Sequence, residues 1–267
     1  MDGVYDPADT RRVLYGLEVL SLCKSFVRAG LVRVLALLAS GLLAAGTHAQ
    51  TVAVDIGHTL AAGGAISARG RSEFEFNRDL AWQLVSALRE RGLTVHVINA
   101  DGAIASLRAR PAQAAAEGAD LFISIHHDSV SANTLQPWTW NGRALDFNDD
   151  FAGHSLFVSR DNPDLPRSLL CARVAGVRLQ RLGFAPTHKN ARSRPYADAS
   201  LAVHYYDGLA VLRHATMPAL LFEAGVIKHR DEELLLRDPI RQARMADGLA
   251  TAIAACLRNG DPATGAP

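Results

Sequence analysis

Thr51-Val-Ala-Val-Asp-Ile-Gly-His58 is a short run of β-branched and apolar residues that ends in Gly-His. A loop containing Gly63-Gly64 follows and leads to Gly70-Arg-Ser-Glu73-Phe-Glu-Phe-Asn77, where acidic residues open an amphipathic segment. This predicts a buried strand that delivers a histidine at its carboxyl end, with a carboxylate returning beside it. Two further stretches have the same form. Leu121-Phe-Ile-Ser-Ile-His126-His127-Asp128 is a strand ending in histidine, and Pro218-Ala-Leu-Leu-Phe-Glu223-Ala-Gly225 is a strand ending in glutamate. Three strands each bring a metal-capable or acid/base residue to one end.

Outward from the first strand, Phe76, Leu80, Leu84 and Leu88 form one apolar stripe of a helix over 73–91, stopped by Gly92. Leu93–Ile98 alternates as a strand, and a helix over 104–117, irregular at Pro111, precedes the strand at 121–125. Strand, helix, strand, helix, strand is the pattern of parallel pairing with right-handed crossovers. The expectation is a single α/β domain: a mostly parallel twisted sheet, helices on both faces, and the site at the carboxyl ends of the strands. Further on, 155–159 and 209–212 read as strands, 169–182 as a helix, 184–208 as a polar loop, 219–222 as the last strand and 242–257 as the closing helix. Residues 129–153, with Trp138, Trp140 and Asn141-Gly142, show no clear period and are expected to be an inserted loop lying over the site. The catalytic domain spans 50–258, and the Gly/Pro/Ala-rich tail 259–267 is expected to fray.

Composition narrows the class. Of 267 residues, 49% are hydrophobic and 21% charged, so the chain folds, and a formal charge of +1 gives no electrostatic case for nucleic acid. Arg28 and Arg33 lie at the start of an apolar run over 34–46, which is followed by Thr47-His-Ala49. That is the form of a signal peptide over 1–49 with a long basic region, and the run is too short for a stable membrane span. Its removal takes five of 28 basic and four of 27 acidic residues, leaving 23 of each in an exported, periplasmic or extracellular domain. Cys171 and Cys256 remain, and the sequence leaves open whether they form a disulfide.

Two histidines and one carboxylate at converging strand ends are a catalytic zinc set with one position left for water. His58, His126 and Glu73 supply it, with Glu75 an alternative to Glu73 and His127 to His126. Glu223 would be the free carboxylate that moves protons, with its Ala-Gly neighbours leaving room for substrate. Each residue alone has a plainer reading, such as a structural histidine or a glutamate favouring a helix dipole. The implied reaction is metal-assisted amide hydrolysis. Asp128, Trp138, Trp140, Arg192 and Arg194, with His127, are candidates for substrate contact: the tryptophans by stacking, an arginine by holding a carboxylate.

Four motifs in order, Asp55-Ile-Gly-His58, Gly70-Arg-Ser-Glu73 with Asn77, Ala119-Asp-Leu-Phe-Ile-Ser-Ile-His126, and Pro218–Gly225, resemble the zinc-dependent N-acetylmuramoyl-L-alanine amidases of the amidase-3 type. The resemblance spans about 52–257. It implies zinc ligation by His58, Glu73 and His126, favouring Glu73 over Glu75, and Glu223 as catalytic acid/base. The implied substrate is peptidoglycan or its muropeptide fragments, cut between the lactyl group of N-acetylmuramic acid and L-alanine. This sequence departs from the family pattern at Ile56 (usually Pro), Thr59 (commonly Gly), Ala115 (commonly Asn) and His127-Asp128 (frequently Ala-Asn). In some relatives an inserted helix blocks the zinc until a partner moves it. Residues 129–153 lack a helical period, so that regulation and an activator are not carried over. Rival expectations are a zinc hydrolase cutting within the stem peptide and a non-catalytic wall-binding module.

Overall fold

A computed structural model describes residues 49–259. The expected leader over 1–49, save Ala49, and the tail beyond 259 lie outside the described residues.

Among the described residues seven strands form one sheet, in the order β2-β1-β3-β9-β6-β8-β7. They are β1 (Thr51–Ile56), β2 (Thr94–Ile98), β3 (Leu121–Asp128), β6 (Ser155–Val158), β7 (Tyr196–Asp198), β8 (Val203–Tyr205) and β9 (Ala219–Val226). Strands β2, β1, β3 and β9 run parallel, and β6 pairs antiparallel with β9. The helices are α1 (Glu73–Arg89), α2 (Ala109–Ala116), α3 (Leu165–Arg181), the single-turn α4 (Ala210–Arg213), α5 (Arg230–Arg237) and α6 (Pro239–Asn259).

Strand alternation divides the core in two. Val52, Val54 and Ile56 of β1, Leu121, Ile123 and Ile125 of β3, and Leu220 and Phe222 of β9 face α1, α3 and α6. The predicted stripe Phe76, Leu80, Leu84 and Leu88 is at most 1% exposed in that layer. Each such side chain contributes about 1.5–3 kcal/mol relative to exposure. The other face, with Ala53, Phe122, Leu221 and Phe157, is covered more thinly by residues such as Ala114, Val211 and Leu212 of α2 and α4. Cys171 of α3 and Cys256 of α6 are joined as a disulfide within the thicker layer. No helix among the described residues is long and apolar enough to cross a membrane.

Several expectations are corrected. The helix at 104–117 begins only at Ala109, because Pro111 fits a first turn and not an interior. Residues 209–212 are not a strand: four apolar residues fit either element, and here they enter α4. The polar loop 184–208 contains β7 and β8. Helix α3 starts four residues early because the Asp164 carboxylate accepts from Arg167 N–H and Pro166 lies in the first turn. Helix α5 was missed because its cap is a histidine: His229 Nδ1 accepts from the Asp231 and Glu232 N–H groups. The insert is not an irregular loop. It holds a hairpin of β4 (Gln136–Trp140) and β5 (Arg143–Phe147) turned at Asn141-Gly142, both with positive φ.

Candidate metal centre

The first donor hangs on an unusual backbone. His58, just beyond β1, has φ +67°, a conformation costing about 1–2 kcal/mol for a residue with a side chain. Its carbonyl is caught from two sides, by Asn99 Nδ2 at 2.7 Å and Arg110 Nη2 at 2.5 Å. Both residues also donate to Ile56 O. Arg110, 1% exposed, pairs with Asp55 Oδ1 at 3.2 Å, and Ser124 Oγ donates to Asp55 Oδ2 at 2.6 Å. Burial pushes the Asp55 carboxyl up, against the pull of Arg110. The aspartate of the first motif is therefore the anchor of a brace under His58. Neither Arg110 nor Asn99 was found from sequence.

Glu73 opens α1. Its N–H donates to Ala65 O, and its two oxygens divide between the imidazoles: Oε2 lies 3.0 Å from His58 Nε2 and Oε1 2.9 Å from His126 Nδ1. Asn77, one turn on, reaches Glu73 Oε1 and Gly57 O. Donor atoms of His58, Glu73 and His126 lie within 4.8 Å of one another. Burial opposes ionisation of Glu73, but hydrogen bonds to His126 and His58 outweigh it and hold the carboxyl below its usual range. The cluster needs two glycines: a Cβ on Gly57 would strike the His126 ring, and one on Gly64 would come within 2.6 Å of Glu73 Oε2. The two alternatives left open by the sequence point elsewhere. Glu75 accepts from Ser72 N–H and Oγ–H as a helix cap.

His127 faces the thick layer, 1% exposed, with Nδ1 2.9 Å from Asn77 Oδ1 and its ring against Phe76. It is corrected from substrate candidate to buried support. Burial depresses its pKa to about 3.

Glu223 of β9 lies in register with His126 of β3 and Ser155 of β6, on the thinly covered face. Its Oε2 is buried without a hydrogen-bond partner. Burial first, then the charges of Asp128 and Glu73, raise its carboxyl well above the ordinary range, opposed by Lys189. A cavity of about 350 Å³ holds Glu223, Asp128, Lys189, Asn190, Arg194 and Tyr206 among its walls. Asp128 accepts from Lys189 Nζ at 3.0 Å and Asn190 Nδ2 at 2.9 Å. Lys189 and Asn190 lie in the polar stretch 184–208, where no periodicity or spacing distinguishes them from solvated surface residues. A larger cavity of about 490 Å³, between Phe184, Ile240 and Arg241, contains none of the candidate residues.

The remaining candidates separate. Arg194 lines the Glu223 cavity, whereas Arg192 is exposed outside it. Trp138 and Trp140 stack on each other and on Arg69, and Trp138 Nε1 donates to Ala68 O. Their hairpin is fastened to the loop that precedes Glu73. The space expected beside Glu223 from Ala224-Gly225 is also filled. Ala224 is buried, and a Cβ on Gly225 would meet the Glu232 carboxyl at 2.9 Å.

Solved structures share this architecture. The catalytic domain of CwlV, an N-acetylmuramoyl-L-alanine amidase from Bacillus (Paenibacillus) polymyxa, is 24% identical over 77% of this chain and 97% of that one, with a TM-score of 0.60. Ami1 from Mycobacterium smegmatis is 19% identical over 79% and 97%, with a TM-score of 0.63. An N-acetylmuramoyl-L-alanine amidase from Clostridium difficile 630 is 20% identical over 81% and 100%, with a TM-score of 0.62. A comparison with curated proteins finds no match. At these identities the solved structures speak for the fold. The family model described as Amidase_3, N-acetylmuramoyl-L-alanine amidase, matches residues 52–255. With well over half its length matched, the chain belongs to this family of amide hydrolases.

Proposed function

We propose that the protein is a zinc-dependent enzyme of the cell envelope that hydrolyses the amide between N-acetylmuramic acid and L-alanine, releasing stem peptides from peptidoglycan. The observation that carries this reading is the convergence of His58, Glu73 and His126 within 4.8 Å, with the partnerless carboxylate of Glu223 in register with His126. Two imidazoles and a carboxylate suit one zinc ion with a position left open. Bound zinc supplies a lowered pKa for water and a polarised amide carbonyl.

The chain's own residues do the rest. Asn77 holds the Glu73 carboxylate, and Arg110 and Asn99 hold the backbone of His58, so the donors are fixed before a ligand arrives. The Glu223 carboxylate takes a proton from the attacking water and passes it to the departing alanine nitrogen. Its raised proton affinity suits the second half of that transfer. Asp128, fixed by Lys189 and Asn190, keeps a negative charge in the same cavity and so maintains that affinity. Export is supported by the leader-like residues 1–49 and by the Cys171–Cys256 disulfide, a bond that persists in oxidising compartments.

The test is product analysis. Zinc-loaded protein incubated with muropeptides is expected to yield free lactyl groups on muramic acid and peptides beginning with L-alanine, and Glu223→Gln is expected to retain zinc but yield neither. Peptides with any other new amino terminus, or equal product from wild type and variant, would defeat the proposal.

A further inference from the structure

The cavity beside Glu223 contains more positive charge than the transfer of a proton requires. Two cations line it, Lys189 and Arg194. Lys189 is neutralised by Asp128 at 3.0 Å, both side chains about 85% covered. Arg194 is different. Its guanidinium lies 3.7 Å from the centre of the Tyr206 ring, and Nη1 donates to the carbonyl of Ser193 at 2.8 Å. Among the described residues no carboxylate pairs with it. A guanidinium stacked on an aromatic face is held in one plane, with its remaining N–H donors directed outward along the edge. Tyr206 is itself set by Phe157 at 6.1 Å between ring centres, and its N–H donates to Val158 O, so the platform belongs to the sheet and not to the loop alone. Arg194 is also tied down through its carbonyl, which faces Nδ1 of the buried His204 at 3.3 Å.

We infer that Arg194, seated on Tyr206, is a specificity residue that receives a carboxylate on the peptide half of the substrate. This rests on the amidase reading above and narrows its substrate class: stem peptides whose second residue keeps a free branch carboxylate, in preference to those in which that group is an amide. The charges agree. Asp128 and Lys189 are paired with each other, whereas the Arg194 guanidinium lines the same cavity with no carboxylate partner among the described residues, so it is the cation left to meet an anion of the ligand. A carboxylate there gains a charge-assisted, two-point contact that a neutral amide does not. An amide would in addition turn an N–H donor toward a group that has only donors.

The experiment compares two peptides, alanyl-glutamate and alanyl-glutamine, blocked alike at the main-chain carboxyl so that only the branch group differs. Binding to zinc-loaded wild type and to Arg194→Gln is measured by calorimetry, and cleavage of the parent muropeptides is followed alongside. Wild type is expected to bind the acid at least tenfold more tightly than the amide. Arg194→Gln should lose that preference by weakening the acid alone, with the cost appearing in KM and not in kcat, and Arg194→Lys should restore part of it. Equal affinity of wild type for the two peptides, or an equal loss for both in Arg194→Gln, would overturn the subsite. Discrimination in binding without cleavage of the muramoyl amide would keep the subsite and remove the amidase reading. Cleavage of both muropeptides at one rate would do the reverse.

Discussion

Replacing Arg110 with Met removes the brace under His58 while keeping an unbranched side chain in its place. Arg110 makes five hydrogen bonds: two to Ile104 O, and one each to Asp55 Oδ1, Ile56 O and His58 O. Asp55 is 0% exposed, so the variant strands a buried carboxylate and leaves carbonyls short of donors. Breaking one partner of a buried pair costs about 3–5 kcal/mol. Burial raises the proton affinity of the stranded carboxyl, and taking up a proton once Arg110 is gone limits the loss to the lower part of that range. The expected loss is therefore about 3 kcal/mol, read from urea midpoints at constant slope. Adding Asp55→Asn removes the stranded charge, and the double variant is expected to be more stable than Arg110→Met alone. Zinc affinity should fall about 10–100-fold, because the left-handed backbone of His58 loses one of two restraints. A stability loss below about 1 kcal/mol, with additive Asp55→Asn and Arg110→Met effects, would refute the brace.

Three further outcomes follow from other contacts. The Cys171–Cys256 bond closes a loop of 85 residues, and Cys171→Ala/Cys256→Ala is expected to cost about 4 kcal/mol without changing zinc content; an unfolding midpoint insensitive to reductant in wild type would contradict it. The acid limb of kcat/KM is expected above the ordinary carboxylate range. It should move down in Asp128→Asn, which removes a charge that raises Glu223, and up in Lys189→Met, which removes one that lowers it; shifts of the same sign would tell against that assignment. His154, 1% exposed with no side-chain hydrogen-bond partner on either ring nitrogen, has its pKa lowered by burial from 6.5 to about 4. The unfolded chain therefore binds the extra proton first, and stability falls as pH drops from 6.5 toward 4, by up to about 1.4 kcal/mol per unit. His154→Phe is expected to be more stable than wild type at pH 5 relative to pH 7, and parallel pH curves would exclude this.

The parallel half of the fold was legible because its strands carry two-sided apolar runs and its first helix has an unbroken stripe at Phe76, Leu80, Leu84 and Leu88. Strand alternation also separates His126 from His127 once the face of α1 is known: odd positions of β3 pack on that helix, so 127 goes inward with Ile123 and Ile125. The sequence by itself does not say which face α1 covers. The choice between Glu73 and Glu75 turns on the cap at Ser72, a pattern present in the letters and passed over. Asn141-Gly142 was likewise a hairpin signal read only as loop composition. What no local pattern could reveal are the long-range partners: Arg110 reaches 52 residues back to His58, and Lys189 reaches 61 back to Asp128. Such pairings depend on which loops the sheet order brings together.

Metal analysis of the purified chain and of its carboxylate variants tests the centre most directly. Wild type, Glu223→Gln and Glu75→Gln are each expected to hold one zinc per chain, and Glu73→Gln, His58→Ala and His126→Ala to hold none while remaining folded by circular dichroism. Zinc retained by Glu73→Gln and lost from Glu75→Gln, or a wild-type chain that takes up no zinc, would contradict the account.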